Sequence, residues 1–527
     1  MTKLNPVDYA VISQALLSSA REMGVKLCRS AYSSIVRDAK DASTGILNEK
    51  GESVAQSDEL IPILVGSLSL SLKRCLAYYK VSELQEGDFF ISNHPYEGCH
   101  HLNDTFLFMP IFWDGEVIGF SAAVAHQLDF GGSTTTGNMA TDLYQEGLII
   151  PPLKFNVAKD WDGGALERLI AANVRVPSQT IGDISSQFAA CNTGIIRVRE
   201  LCEKFGGATV RTAMADMLDY AERRVRAAIA SIPNGIYTGE DILDHDGVTP
   251  HELKTRATVT VEDDSLTVDF AGTSPQAKSN VNAPFASTVA STLTALKDVL
   301  TGGDVPYNEG AFRPFTITAP AGSLLNPTFP APVAARMEVI YRAFDSVLKA
   351  FGRAIPERVI ACGYDSTYAT ALSLLKPEGY SVFMEVHGSG WGASVKGPGV
   401  DAVAQPLSNC TNVPVELVDM GYDFFRIERY EIIHNSGGAG LHRGGHGTVR
   451  AYRILKDGVR FSIVADRFVV PAAGINGGLP GAPAGCEVHR GDEVITHHSL
   501  ASETLREGDL LVVRTGGGGG YGAPLAA

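Results

Sequence analysis

Metal-ligating side chains bracket one hydrophobic ribbon in the segment "NHPYEGCHHLNDTFLFMPIFWDGEVIGFSAAVAHQLDFGG", Asn93 to Gly132. His100, His101 and Asp104 precede the ribbon, and His126 and Asp129 follow it. The chain has only 13 histidines, so three of them at the two ends of one ribbon is a concentration of imidazole. Two imidazoles with one or two carboxylates make a mixed nitrogen and oxygen set that suits Mn²⁺, Fe²⁺ or Zn²⁺, whereas Mg²⁺ and Ca²⁺ prefer oxygen alone.

What could bring the two ends together is a hairpin. Asp114-Gly115 lies between two apolar runs, a strong short-range signal for a two-residue turn. With that turn, Trp113 pairs with Glu116, His126 falls opposite Asn103, and Asp104 and His126 become cross-strand neighbours. Such neighbours lie roughly 4.5 to 8 Å apart, close enough to converge on one ion, with His101 a short step upstream. A bulge, or the kink at Pro110, shifts the register by one residue without separating the ends. Spacing alone leaves the alternative that these are polar residues at fraying strand ends.

Size and charge narrow the setting. At 527 residues the chain exceeds what a single core usually supports, which predicts two to four domains or one domain with large insertions. A net charge of -15 argues against a nucleic-acid or anionic-membrane surface and leaves small molecules and proteins as ligands. The opening "MTKLNPVDYAVISQALLSSAREMG" has no signal-peptide core, and Asn5-Pro6 reads as a helix start. No apolar run reaches the roughly 18 residues of a membrane span. Eight cysteines without a C-x-x-C pair read as reduced, buried thiols. The expectation is a cytoplasmic protein.

Periodicity gives the elements. Residues 6 to 35 have helical spacing at Val7, Val11, Ala15, Leu16, Ala20 and Met23, followed by a hairpin marked by Lys50-Gly51. Residues 165 to 232 read as helices, the last two broken near Gly206-Gly207. Beyond Pro233-Asn234-Gly235, strands should dominate from about 236 to 275. The helices "ASTVASTLTALKDVL" and "RMEVIYRAFDSVLKAFGRA" come next, then a C-terminal region of strands and glycine loops. The fold class expected is α+β in a large multi-domain chain. Residues 1–235 form an N-terminal hairpin-and-helix region carrying the metal site, 236–380 a central mixed region, and 381–527 a β-rich, Gly-rich region.

The run Asn93-His94-Pro95-Tyr96-Glu97-Gly98-Cys99-His100-His101-Leu102-Asn103-Asp104 resembles the signature N-D-P-Y-x-G-G-T-H-x-x-D of the B subunit of the hydantoinase/oxoprolinase family. The resemblance continues through "RDAKDASTGILNEKGESVAQ", "NVNAPFAS", "DVPYNEGAFRPFTITAPAGSLLNP", "GGAGLHRGGHGTVR", "DRFVVPAAGINGGLPG" and "TGGGGGYG", over essentially the whole chain. It implies a metal in this subunit with Asp41, His101, Asp104 and His126 as ligands, Asp41 being the aspartate of the segment before the first hairpin. It also implies an ATP-binding hydantoinase A-type partner, in an assembly with two copies of each. Metal-bound water would open a lactam, hydantoin or 5-oxoproline ring that the partner has activated by phosphorylation. The alternative is a subunit of an ATP-dependent ketone carboxylase of the acetone or acetophenone type. Asp129 and His100 are the candidates for further catalytic roles, His100 also competing with His101 as ligand. His94, Cys99 and His100 depart from the family's Asp, Gly and Thr, which puts the substrate side in question more than the ligands.

Other motifs carry less. No G-x-x-x-x-G-K-[ST] occurs, and "TGGGGGYG" lacks a following helix to aim amides at phosphate, so it reads as a close-packed terminal turn. Cys410 would need an adjacent base and a depressed pKa to be a nucleophile, and the sequence shows neither.

Overall fold

The computed structural model describes residues 4–134, 139–244, 246, 248, 249 and 252–524, with Val65 described by its backbone alone. The fold is mixed α+β and multi-domain, with four sheets among the described residues. Among the described residues no helix is long and apolar enough to cross a membrane.

The first sheet has six strands in the order Ser53–Gln56, Ala42–Asn48, Glu116–His126, Asp104–Trp113, Asp88–Ser92, Leu153–Asn156. Its centre is the predicted hairpin. Asp114 and Gly115 both have positive φ, 49° and 80°, as a two-residue turn of this hand requires. Trp113 pairs with Glu116 as expected, then the register shifts between Ile111 and Phe112, because the pairing passes from Val117 to Gly119 and leaves Ile118 as a bulge. The shift puts Asp104, rather than Asn103, directly opposite His126.

The ribbon is apolar on both faces because both are covered. Phe106, Phe108, Phe120 and Val124 enter one core, shared with Leu68, Leu72 and the helix Arg336–Ala354. Leu107, Met109, Ala123 and Ala125 enter another, against the helices Pro6–Ser30 and Pro177–Phe205. Each large side chain removed from water there contributes about 1.5–3 kcal/mol, so the strands carrying the histidines are firmly fixed. Asp104 and His126 share the face of Phe106 and Val124, which points them toward the helix Arg336–Ala354.

The Asn5 side chain caps the first helix by accepting from the Val7 N–H at 3.0 Å. Its buried stripe is Ile12, Leu16, Ala20, Met23 and Leu27, which keeps the expected Leu16, Ala20 and Met23, while Val7 and Val11 face outward. The later helix pair, Pro177–Phe205 and Gly207–Ile229, breaks at Gly206, whose φ is 84°.

The central sheet runs Phe315–Thr318, Ser265–Asp269, Leu253–Glu262, Gly235–Leu243. The helix Arg336–Ala354 packs on it, with Phe285–Leu300 beside that helix. His245, Gly247, Pro250 and His251, inside the stretch expected to be strand, lie outside the described residues. The C-terminal region has two antiparallel sheets. One runs Gly379–Val386, Ala369–Lys376, Val459–Val464, Leu500–Leu505, and the other Phe425–Ile432, Thr448–Ile454, Leu510–Arg514, Gly485–Arg490, Glu493–His497.

A division at 235 falls where the central sheet begins, while one at 380 cuts the hairpin formed by Ala369–Lys376 and Gly379–Val386. We propose the second boundary between the helix Arg336–Ala354 and that hairpin. The glycine run "TGGGGGYG" is backbone packed on backbone. Gly438 N–H donates to Gly518 O at 2.8 Å and Gly519 N–H to Cys362 O at 2.8 Å, and a Cβ on Gly444 would lie 1.8 Å from Gly518 O.

Candidate metal centre

At the open end of the hairpin the ladder continues past its last pair. The His126 N–H donates to Asp41 O at 3.0 Å, the Asp104 N–H to His101 O at 3.0 Å, and the Gln127 N–H to Asn103 O at 2.7 Å. The backbone therefore holds Asp41, His101, Asp104 and His126 around one point, although they come from two strands and two loops.

The side chains converge. His101 Nδ1 lies 2.9 Å from Asp104 Oδ2, and His126 Nδ1 lies 3.3 Å from Asp104 Oδ1 and 4.0 Å from Asp41 Oδ2. The two imidazole centroids are 4.9 Å apart. One ligand atom from each of His101, Asp104 and His126 can be chosen so that all three lie within 4.8 Å of one another. Asp41 stands at the edge of this trio. Despite these short distances His101 Nδ1, Asp104 Oδ1 and His126 Nε2 are buried without a hydrogen-bond partner. Buried polar atoms are rarely left so, and several unsatisfied donors facing one space are what a bound cation would complete. The donor types fit a divalent transition-metal ion.

The electrostatics of His101 and Asp104 agree with that fit, while His126 and Asp41 hold their protons more firmly until a cation displaces them. Burial, reinforced by the Arg336 guanidinium, pushes His101 down to about 3, so its imidazole is neutral with a lone pair to offer. Asp104 stays ionised, well below the usual carboxylate range: burial opposes this, and the neighbouring imidazoles and Arg336 outweigh it. Burial also works against protonation of His126, but Asp104 and Asp41 hold it above the ordinary imidazole value. Asp41 is pushed up to about 6 by desolvation, with His126 opposing and Asp104 adding to the shift.

These groups line a cavity together with apolar residues that include Ile61, Ile63, Leu64, Met384 and Val464. Arg336 also lines it and donates through one Nη to Asp104 Oδ2 at 2.7 Å. Sequence reasoning did not single out Arg336. It begins a helix far along the chain from Asp104, and no local pattern joins the two.

His100 and Asp129 are not brought to this cavity. Adjacent residues in the turn point apart, and His100 turns away from His101 to place Nε2 at 2.6 Å from Ser67 Oγ and Nδ1 at 2.8 Å from Ser287 Oγ. Both its nitrogens are occupied, and it ties the first region to the helix Phe285–Leu300. Asp129 is fully buried and accepts from the Arg175 side chain at 2.6 Å and from the Arg175 backbone N–H, closing the loop behind the hairpin. His94 accepts from the Tyr96 N–H through Nδ1 at 3.2 Å and stacks on Phe329, while Cys99 is buried beside Ser71 and Ser92. The residues that depart from the family signature are thus packing residues here. Cys410 does line the cavity, but burial pushes its thiol well above the usual range, the reverse of what an attacking thiolate needs.

A second group of metal-type ligands, Asp241, Asp345 and Cys362, is also buried. Its space is taken: one Nη of Arg467 donates to Asp241 at 2.9 Å and to Asp345 at 2.8 Å.

Fold and site together describe a large α+β chain with a buried imidazole and carboxylate cluster facing a half-apolar cavity. Sequence comparison supplies the family. The hydantoinase B/oxoprolinase family matches residues 5–524, and the chain belongs to it. The putative B-type subunit of a D-/L-hydantoinase from Pseudomonas sp. (strain NS671) is 33% identical, the alignment covering 100% of this chain and 91% of that protein. The crystal structure of ATP-dependent caprolactamase from Pseudomonas jessenii matches with a TM-score of 0.89 at 27% identity, covering 99% of this chain and 91% of that one. A nucleotide-free acetone carboxylase matches with a TM-score of 0.88 at 19% identity, covering 99% and 76%, and at that identity the likeness shows the fold alone.

Proposed function

We propose that this chain is the metal-binding B subunit of an ATP-dependent hydrolase of cyclic amides, of lactam, hydantoin or 5-oxoproline type. It would work beside a hydantoinase A-type partner that binds ATP, in an assembly with two copies of each. The observation that carries this reading is the set of unpartnered buried donors on His101, Asp104 and His126 facing one cavity. The hydantoinase and caprolactamase relatives support the substrate class, and the sequence has no P-loop of its own.

Amide resonance makes an unstrained lactam a poor electrophile, and phosphorylating its oxygen in the partner would remove that protection. Overall, cyclic amide, ATP and two waters would give the ring-opened amino acid or N-carbamoyl product, ADP and phosphate. Asp41, His101, Asp104 and His126 would hold a Mn, Zn or Fe ion, whose chemistry when bound is Lewis acidity toward water and a carbonyl oxygen. The chain's own contribution is positioning. Arg336 keeps Asp104 charged and aimed, and the Ile61, Ile63, Leu64 and Met384 wall seats the ring and limits bulk water.

The test uses the chain coexpressed with its partner. Lactam-dependent phosphate release without bicarbonate incorporation is the expected result. Entry of labelled bicarbonate into a ketone would replace the hydrolase reading with the carboxylase one.

A further inference from the structure

Positioning Asp104 leaves most of Arg336 unused. The residue is 4% exposed and lines the cavity, yet among the described residues only one Nη donates to a protein group, and its Nε is buried without a partner. Arg336 is also the first residue of the 19-residue helix Arg336–Ala354, which has no side-chain cap. The backbone N–H groups of Arg336 and Glu338 go to the carbonyls of Val333 and Ala335, and Glu146 takes those of Val333 and Ala334. The N–H of Met337, another cavity residue, has no acceptor among the described residues. An uncapped helix start presents partial positive charge, and a desolvated guanidinium with an unmade hydrogen bond is costly until an acceptor arrives. The nearby carboxylates of Asp41 and Asp104 would repel an anion, but in the proposed function both are engaged by the metal ion.

We propose that Arg336 and the Met337 N–H form an oxyanion subsite of this cavity, taking a phosphoryl or carboxylate group carried by the substrate. The proposal rests on the hydrolase reading, under which the amide arrives with a phosphoryl group on its oxygen, while a 5-oxoproline-type ring brings a carboxylate. Either group accepts charge-assisted hydrogen bonds from a guanidinium. The subsite would let the chain distinguish an activated or acidic substrate from a plain lactam, which offers the helix start no anion.

The experiment titrates the full chain, loaded with Mn²⁺, with inorganic phosphate at constant ionic strength, read by calorimetry. Wild type should bind phosphate saturably. Compared at equal metal loading, Arg336→Gln should weaken binding at least tenfold, and Arg336→Lys, which keeps a cation beside Asp104 but loses Nε, should weaken it several-fold. Displacement of phosphate by 5-oxoproline would identify the substrate's carboxylate as occupant, and its failure to displace would identify the phosphoryl group. Absence of saturable binding in wild type, or equal binding by the variants, would overturn the subsite. Cyclic-amide turnover by the coexpressed pair is scored separately. Phosphate binding through Arg336 without turnover removes the hydrolase reading and leaves the subsite, and turnover without phosphate binding does the reverse.

Discussion

Two buried charge clusters in this chain are built from similar parts and finished differently. In one, Asp241, Asp345, Asp365 and Asp466 surround the guanidinium groups of Arg342 and Arg467, with Lys349 at 2.9 Å from Asp241. In the other, His101, Asp104, His126 and Asp41 share a single guanidinium, Arg336, and face a cavity. The first joins the strand Gly235–Leu243, the helix Arg336–Ala354 and the loop after Val459–Val464, so its arginines close a seam between regions. The second lies at a strand end and lines a cavity. A buried carboxylate group filled by arginine is a joint, whereas one that lines a cavity beside imidazoles is a candidate site.

If that contrast is right, the joint is where a mutation does most harm to the fold. Arg467→Met removes the guanidinium that bridges Asp241 and Asp345, and breaking such a buried group by removing one partner typically costs about 3–5 kcal/mol. A large drop in apparent melting temperature is expected, and a variant as stable as wild type would make the joint an ordinary polar core. At the site the expected loss is catalytic instead. Asp104→Ala or His126→Ala should lower lactam turnover by the complex by more than the roughly 10–100-fold typical of residues that only support ligands. The double variant should be no worse than either single, because one site empties once. Additive losses would mean two separate roles.

A smaller effect concerns pH. Burial pushes Glu146 up to about 8, against its hydrogen bonds from the Ala334 and Val333 N–H groups and the pull of Arg336. Folding therefore favours its protonated form. That contribution is complete below the unfolded value near 4.5 and is lost as pH rises through about 8, on the order of a few kcal/mol in total. Glu146→Gln mimics the neutral form and should flatten this decline, so melting curves at pH 6 and pH 9 should differ less in the variant. The smallest change is expected far from either cluster. Trp113→Ala at the hairpin turn should cost about 1–3 kcal/mol of stability and leave metal content unchanged.

The hairpin was the most legible part of the molecule, because Asp114-Gly115 fixes a turn locally and a turn fixes register. The bulge at Ile118 was not legible. It depends on how the twisted ribbon packs between two helical layers, and it moved Asp104 from diagonal to directly opposite His126. Asp41 is a candidate through the family resemblance alone, since the strand that follows it pairs beside the hairpin rather than within it. His100 and Asp129 sit beside ligands in sequence, but neighbouring side chains in a turn or loop need not share a direction, and both satisfy their polar atoms elsewhere. Arg336 had no local signal. Its role exists only once the central helix docks on the open end of the first sheet.

If His101, Asp104, His126 and Asp41 bind one ion, elemental analysis of the purified complex should find it. The expected result is about one transition-metal ion per chain in wild type and a clear loss in Asp104→Ala and in His126→Ala, with both variants folded and partner-bound. Full metal occupancy in both folded variants would rule out this ion site and return these histidines to the status of polar residues at strand ends.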